Sequence, residues 1–121
     1  TLKIKNFAIF PGSESKLLKG LELGCDGIIT ATTNITGSLA REVYESFKSN
    51  SDAISNKKLC DVRECFEKYN LISSLHSVMS EKNKIFQNLL PPLKLLDNNQ
   101  KKELLTSLTN LEFEMSNLKA A

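Results

Sequence analysis

Two short polar stretches of the sequence contain the side chains best suited to bind a small polar ligand. The first, Gly12-Ser13-Glu14, offers a hydroxyl, a carboxylate and a residue without a Cβ atom. The second, residues 30–34, reads Thr-Ala-Thr-Thr-Asn and offers hydroxyls and an amide. These groups can exchange hydrogen bonds with a ligand, but neither stretch contains the nucleophile, base and orienting group of a covalent catalyst. The two stretches therefore make a plausible ligand site, or part of one.

Each candidate also has an ordinary structural explanation. Gly12 fits a plain turn, and Ser13 with Glu14 fits a helix start, where a carboxylate stabilises the helix by roughly 0.3–1 kcal/mol. The segment Gly-Ser-Glu-Ser-Lys lacks the Gly-x4-Gly-Lys-Ser/Thr spacing of a phosphate-binding loop. The single histidine, His76, lies in a helical stripe and is expected to be a satisfied or surface residue.

The two polar stretches follow apolar runs that are typical of buried strands. Phe7–Phe10 precedes the first stretch, and Ile28–Ala31 leads into the second. The residues from about Ser13 to Leu23 have a helical pattern, with Gly24 in the position that closes a helix. A connection of this length between neighbouring strands predicts a parallel pair with a right-handed crossover. Ligands in such folds bind beyond the carboxyl ends of the strands, where both polar stretches lie.

The remainder of the chain has helical periodicity. A helix is expected to open at Thr36-Gly37-Ser38, and residues 53–82 predict two helices or one bent helix. Asp97 with Gln100 forms a capping-box pattern, which predicts a final helix that runs to about Leu118. Its apolar seam is expected to pack on the helices of residues 53–82. The seam consists of Leu104, Leu108, Leu111, Met115 and Leu118.

Length, charge and cysteine usage exclude several classes of protein. The chain has 121 residues and a net charge of +2, which predicts one domain that binds neither nucleic acid nor a membrane. The three cysteines follow no metal-ligand spacing and are interpreted as reduced thiols of a cytoplasmic protein. Two parallel strands cannot cover their own edges. The chain is therefore expected to be the C-terminal part of a larger fold, or to receive strands from a partner.

At these motifs the sequence resembles the dihydrodipicolinate synthase / N-acetylneuraminate lyase family of (β/α)8 barrels. The stretch Leu23–Asn34, LGCDGIITATTN, is similar to the LGADGxISxTxN pattern of the eighth strand in that family. Gly12-Ser13-Glu14 is similar to the G-x-D/E loop after the seventh strand. Pro91-Pro92-Leu93, followed by a terminal helix, resembles the C-terminal region of some members.

The resemblance implies an α/β fold, the C-terminal portion of a (β/α)8 TIM barrel with its last two parallel strands. Residues 1–50 would be the last two βα units, and residues 51–121 a C-terminal helical region. The activity implied is that of a class I aldolase, lyase or synthase that binds pyruvate or another 2-oxo acid as a Schiff base on a lysine. That lysine is expected upstream of Thr1, in the remainder of the barrel, so this chain alone is expected to be inactive. Neither a cofactor nor a metal is implied, and members commonly form homo-oligomers.

The resemblance also implies which residues bind substrate. They are Gly12, Ser13, Glu14, Ile29, Thr30 and Ala31. Glu14 is expected to contact the hydroxylated part of the substrate. Ile29 is expected to present its backbone carbonyl to the site and to bury its side chain in the core. The alternative is a non-catalytic helical protein-interaction module, favoured by the terminal leucine seam and by the missing catalytic residues.

Overall fold

A computed structural model describes residues 4–115, which form five α-helices and two short 3₁₀ turns. The helices are α1 (Leu17–Glu22), α2 (Thr33–Lys48), α3 (Ser55–Glu67), α4 (Leu71–Met79) and α5 (Asn98–Asn110). The 3₁₀ turns are Glu14–Lys16, directly before α1, and Lys84–Gln87. The chain divides into two compact units, Thr1–Cys60 and Asp61–Ala121. The division into barrel units over residues 1–50 and a helical region over residues 51–121 stays a prediction.

The two predicted strands are not formed as a regular ladder within residues 4–115, which contain no assigned strand. Two backbone hydrogen bonds still join the runs, from Asp26 N to Ile9 O at 2.9 Å and from Ile29 N to Pro11 O at 3.2 Å. From the first bond to the second, the residue number increases on both runs, as it does between parallel strands. The ladder does not continue because the Ile9 amide donates to the side-chain Oδ2 of Asp26, at 3.0 Å, instead of to a backbone carbonyl.

The core of the first unit forms between α1 and α2. Leu17 and Leu21 of α1 are buried with Val43 of α2 and Leu59 of α3. The predicted face of Leu39, Val43 and Phe47 is confirmed, since Val43 is fully buried and the other two pack against the core at its border. Each buried leucine or valine contributes about 1.5–3 kcal/mol relative to an exposed one. This core therefore fixes how the two helices meet, and with them the loops at their N-terminal ends.

Three helices end with the same pair of backbone hydrogen bonds, the Schellman motif. In α1 the amide of Gly24 bonds to Leu21 O and that of Cys25 to Gly20 O, at 3.0 and 2.8 Å. The residue in the left-handed conformation is Gly24, with φ 95°, so the predicted helix-closing role of Gly24 is confirmed. The left-handed residues that end α2 and α5 are Asn50 and Glu112, with φ 54° and 51°.

The two helices predicted over residues 53–82 are present as α3 and α4. In the second unit α4 and α5 pack together, and Leu75, Val78, Leu104 and Leu108 are buried. The predicted capping box at the start of α5 is confirmed by both of its bonds. Gln100 N donates to Asp97 Oδ1 at 2.8 Å, and Asp97 N donates to Gln100 Oε1 at 3.3 Å.

The predicted end of the final helix near Leu118 is wrong. The helix stops at Asn110, because Glu112 turns left-handed and the amide of Phe113 bonds back to Leu108 O at 3.0 Å. Leu104 and Leu108 are therefore the buried part of the seam, while Leu111 and Met115 are half-buried beyond the helix. Leu118 lies outside the described residues.

Candidate functional site

Glu14 is the only fully buried carboxylate among residues 4–115, with none of its surface exposed. Its Oε1 accepts a hydrogen bond from Thr36 Oγ1 at 2.9 Å, and its Oε2 accepts one from Thr30 Oγ1 at 3.0 Å. A buried carboxylate is costly unless it is hydrogen-bonded, and bonds from hydroxyls to such a group are among the stronger ones in proteins. The two threonines thus make it possible for Glu14 to lie inside the first unit.

The hydroxyls around Glu14 form a directed chain of hydrogen bonds. Thr30 Oγ1 lies 3.1 Å from Thr32 Oγ1 as well as 3.0 Å from the carboxylate. A threonine has one hydroxyl hydrogen, so Thr30, which donates to Glu14, accepts from Thr32. Thr32 and Thr36 are both fully buried, and Thr36 Oγ1 is also 3.1 Å from the backbone carbonyl of Thr32. The cluster therefore joins the loop before α1 to the loop before α2.

The turn that carries these threonines is fixed by its own side chains. Thr33 Oγ1 donates to Thr30 O at 2.6 Å, and Asn34 Nδ2 donates to Ala31 O at 2.8 Å. These bonds back to the preceding carbonyls let α2 begin at Thr33, three residues before the predicted opening at Thr36. Thr36 consequently lies within the first turns of α2, one turn beyond Thr32, where its hydroxyl can reach Glu14.

Ser13 and Gly12 lie on the outer side of the same loop. Ser13 Oγ is 2.9 Å from Ser15 Oγ, and Gly12 and Ser15 are exposed. A Cβ atom added to Gly12 would lie 3.8 Å from the backbone oxygen of Ile29, an ordinary van der Waals distance. Packing within the described residues therefore does not require a glycine at position 12.

Ile29 departs from its predicted surroundings. Its side chain is 71% exposed, so the prediction that it lies in the core is wrong for this chain. No described side chain covers this face of the 28–31 run, and Phe7 and Phe10 on the neighbouring run are also 63% and 45% exposed. The proximity of the Ile29 carbonyl to Gly12 nevertheless shows that the two predicted loops lie side by side.

The structure brings the candidate residues together in two groups. Glu14 and Thr30 are directly bonded, and Gly12 lies near the backbone of Ile29. Ser13 bonds to Ser15, and Ala31 accepts from Asn34. Sequence reasoning included Thr32 in the second polar stretch but missed Thr36 as a partner of the site. The spacing of four residues between Thr32 and Thr36, which places two hydroxyls on one face of a helix, was the available signal.

A second polar group lies in the second unit, around Glu103 on α5. Its carboxylate pairs with Lys68 Nζ and accepts a hydrogen bond from the Tyr69 hydroxyl. These bonds lower the pKa of Glu103 and raise the pKa values of Lys68 and Tyr69. Burial raises the pKa of Cys65 in the adjoining groove of about 420 Å³. The raised pKa values keep the thiol of Cys65, the amine of Lys68 and the phenol of Tyr69 protonated, and the lowered pKa makes the carboxylate of Glu103 a weaker base, which argues against a nucleophile or base here.

The remaining sequence candidates have structural partners. His76 Nδ1 is 2.8 Å from the backbone oxygen of Phe86, which confirms that the histidine is satisfied. The three cysteines are present as thiols. Among residues 4–115, no cluster of three or more histidine, cysteine or acidic side chains could hold a metal ion. None of the helices described in this chain combines the length and apolar character needed to cross a membrane.

Comparison with known proteins decides the family. Residues 2–111 match the model of the "Dihydrodipicolinate synthetase family". The chain belongs to this family. A curated relative in Picrophilus torridus is a 2-dehydro-3-deoxy-D-gluconate/2-dehydro-3-deoxy-phosphogluconate aldolase, 27% identical over 96 residues that cover 77% of this chain and 36% of the relative.

A solved structure of a dihydrodipicolinate synthase shows the fold of this member of the dihydrodipicolinate synthetase family. The protein is described as the first monomeric variant of that enzyme, and it superimposes with a TM-score of 0.77 at 16% identity. The match covers 89% of this chain and 37% of the other chain. The chain thus has a partial barrel fold and spans little more than a third of the length of the proteins it matches.

Proposed function

We propose that this chain is the C-terminal part of a class I aldolase-type enzyme, a lyase or synthase that acts on pyruvate or another 2-oxo acid. The family match over residues 2–111 is the observation that carries the proposal. The Picrophilus torridus relative, by its name an aldolase of 2-dehydro-3-deoxy sugar acids, supports the same reaction class. The polar loops at Glu14 and Thr30 supply binding groups of the kind that a hydroxylated acid requires.

The chemistry proposed for the whole enzyme begins with a lysine amine outside this chain. The amine adds to the keto carbon of the substrate and water leaves, which forms an imine. In cleavage, the hydroxyl on the carbon beyond the α-carbon loses its proton and becomes the carbonyl of the departing fragment, while the electron pair of the broken bond moves towards the protonated imine and forms an enamine. The enamine then takes up a proton, and water hydrolyses the imine and releases the keto acid; synthesis runs the same steps in reverse. Residues of this chain then have one task, which is to hold the part of the substrate that departs or arrives.

Gly12, Ser13, Glu14, Ile29, Thr30 and Ala31 form the share of the substrate pocket that this chain contributes. Two observations support that assignment. The bond from Thr30 to Glu14 draws the two loops together. A side chain at position 12 would meet only ordinary contacts, so close approach of a ligand remains a physical reason for a glycine there.

The partners proposed for the chain follow from its assignment as the C-terminal part of a barrel enzyme. The remainder of the barrel upstream of Thr1 would cover the exposed faces of Phe7, Phe10 and Ile29. Burial of these three side chains would contribute about 1.5–3 kcal/mol each. We further propose a homo-oligomeric enzyme of the cytoplasm.

Trapping of the imine tests the proposal. The full-length polypeptide that contains this sequence is incubated with pyruvate and borohydride, which reduces an imine to a stable secondary amine, and is then digested for mass spectrometry. Lactate, which has a hydroxyl in place of the keto group, is the matched control ligand. We expect an adduct on a lysine upstream of Thr1 with pyruvate and none with lactate.

The same assay separates the proposal from the alternative of a helical interaction module. An absence of adduct with every 2-oxo acid tested would favour the module. The 121-residue chain alone is expected to give no adduct and no cleavage of a 2-oxo sugar acid, because the lysine lies outside it. Measurable cleavage by the isolated chain would contradict that part of the proposal.

A further inference from the structure

The carboxylate of Glu14 cannot touch a ligand while it keeps the partners seen in this structure. Its exposed fraction is zero, and its two oxygens accept from Thr36 and Thr30 at 2.9 and 3.0 Å. Direct contact with a substrate would require the carboxylate to leave both hydroxyls and the core. A carboxylate held in this way can affect a ligand only through the position that it gives to the backbone of its own loop.

We infer that Thr36 and Glu14 are positioning residues, which hold the Gly12–Ser15 loop against the loop before α2 so that the outer loop meets the substrate. This inference rests on the proposed function, and it changes the role of Glu14 from substrate contact to support of the loop. The same loop carries the hydroxyls of half-buried Ser13 and exposed Ser15, 2.9 Å apart. The backbone oxygen of Ser13 also accepts from Lys16 N at 3.1 Å, so the turn is tied at both sides of Glu14.

Thr36 is suited to this role by its shape and by the position of its hydroxyl, which lies between two acceptors, Glu14 Oε1 and Thr32 O. A β-branched side chain in a helix has few accessible rotamers, and the contact of its hydroxyl with Thr32 O at 3.1 Å selects one of them. The Thr36 hydroxyl is therefore held within hydrogen-bond distance of Glu14. Valine has nearly the same shape but no hydroxyl, so Thr36→Val removes the bond and keeps the packing.

The two halves of the proposed reaction depend differently on this arrangement. Imine formation needs the lysine and the keto acid, to which the Gly12–Ser15 loop adds little. Cleavage of the carbon–carbon bond needs the rest of the substrate in a reactive geometry, and a small displacement of a positioning loop can cost on the order of a hundredfold in rate. Loss of the Thr36–Glu14 bond should therefore reduce cleavage and leave imine formation unchanged.

The experiment compares full-length Thr36→Val with wild type in two assays, borohydride trapping with pyruvate and cleavage of a hydroxylated 2-oxo acid. We expect kcat/KM for cleavage to fall by about ten- to a hundredfold, with trapping unchanged. Thr36→Ser keeps the hydroxyl and should recover cleavage to within about threefold of wild type. Thr106→Val is the matched control, since Thr106 Oγ1 also donates to a helical carbonyl, Lys102 O at 2.8 Å, but lies exposed on α5.

A double-mutant cycle decides between positioning and contact. If Glu14 acts through the loop, Thr36→Val adds nothing to the loss caused by Glu14→Ala, because both remove the same support. Independent losses that multiply would overturn the inference, as would a Thr36→Val enzyme with the cleavage rate of Thr106→Val. Should the valine variant not fold, Glu14→Gln replaces it, with the same split between cleavage and trapping expected and equal losses contradicting it. Failure of wild type to form any adduct would instead reject the proposed function itself.

Discussion

The hydroxyl of Thr36 donates to the carboxylate of Glu14, 22 positions earlier in the chain, across 2.9 Å in a site that water does not reach. Either group without the other would destabilise the folded state, since burial of an unpaired hydroxyl or carboxylate costs free energy on folding. Together with Thr30 they form a buried polar link between the two loops before α1 and α2. The stability of the first unit and the shape of the candidate site therefore depend on the same bond.

Thr36→Val should lower the free energy of unfolding by about 1–3 kcal/mol, because Glu14 loses a donor while it remains buried. Chemical denaturation followed by circular dichroism measures the change. Thr106→Val, which removes only an exposed hydroxyl, should stay within about 0.5 kcal/mol of wild type. Equal losses in the two variants would show that the helical back-bond, and not the carboxylate, is what Thr36 supports.

Leu108→Ala should destabilise the second unit by about 2–5 kcal/mol, the range for deleting a buried leucine. Leu108 is 4% exposed and lies on α5, which packs on α4. Leu105→Ala, on the half-buried side of the same helix, should cost less and serves as the control. Thermal unfolding and size-exclusion chromatography of both variants are the measurements. A Leu108→Ala protein of unchanged monomer stability that loses an oligomeric state would show instead that the seam joins two chains.

Glu112→Gly should stabilise the second unit by roughly 0.5–1 kcal/mol. Glu112 ends α5 with φ 51°, where a Cβ atom is unfavourable and glycine is not. Part of the gain is offset by the larger conformational entropy of glycine in the unfolded chain. Asn50→Gly, at the same position of α2, should gain less because asparagine tolerates this conformation better. A loss of stability on Glu112→Gly, measured by chemical denaturation, would contradict the assignment.

Glu103→Gln should lower the pKa of Tyr69 towards its ordinary value of 10.0. In the wild type the carboxylate of Glu103 accepts from the phenol and so opposes its ionisation. Phenolate absorbance during a pH titration measures the pKa, with Tyr44→Phe in both proteins so that Tyr69 is the only tyrosine. An unchanged titration would mean that the bond does not persist in solution.

The contribution of Glu103, Lys68 and Tyr69 to the free energy of unfolding depends on pH in both the acidic and the basic range. The pKa of Glu103 is lowered on folding, so its contribution is present above 4.5 and is lost as the pH falls through the folded pKa. The pKa values of Lys68 and Tyr69 are raised, so their contributions are present below 10.5 and 10.0 and are lost as the pH rises through the folded values. In Glu103→Gln both dependences should weaken.

Local signals in the sequence predicted the features that local hydrogen bonds determine. The capping box of Asp97 and Gln100 and the closing Gly24 are examples, because each depends on residues within five positions. The end of α5 was missed because Glu112 is not a residue type that marks a helix end. The strands were not formed because a ladder needs neighbours, and the side chain of Asp26 takes the amide of Ile9.

The candidate site was likewise predicted only in part from the sequence. Glu14 and Thr30 were identified from the character of their loops, and the structure joins them. Burial of Glu14 and its bond to Thr36 could not be read from the sequence, because they depend on how α1 packs on α2. A spacing of four between two hydroxyl-bearing residues does not show whether that face of the helix contacts water or a buried carboxylate.

The bond from the Ile9 amide to Asp26 has a consequence for the behaviour of the chain at high concentration. The run from Phe7 to Phe10 is apolar and exposes Phe7 and Phe10, which are properties of a segment that pairs with a copy of itself and aggregates. Asp26 occupies one of its backbone donors and places a carboxylate beside it. A second chain that approaches in register finds the Ile9 amide already occupied, and its own Asp26 carboxylate is repelled by that of the first chain. We therefore expect Asp26 to disfavour pairing of this segment with another molecule, and Asp26→Ala to make the chain more prone to aggregate.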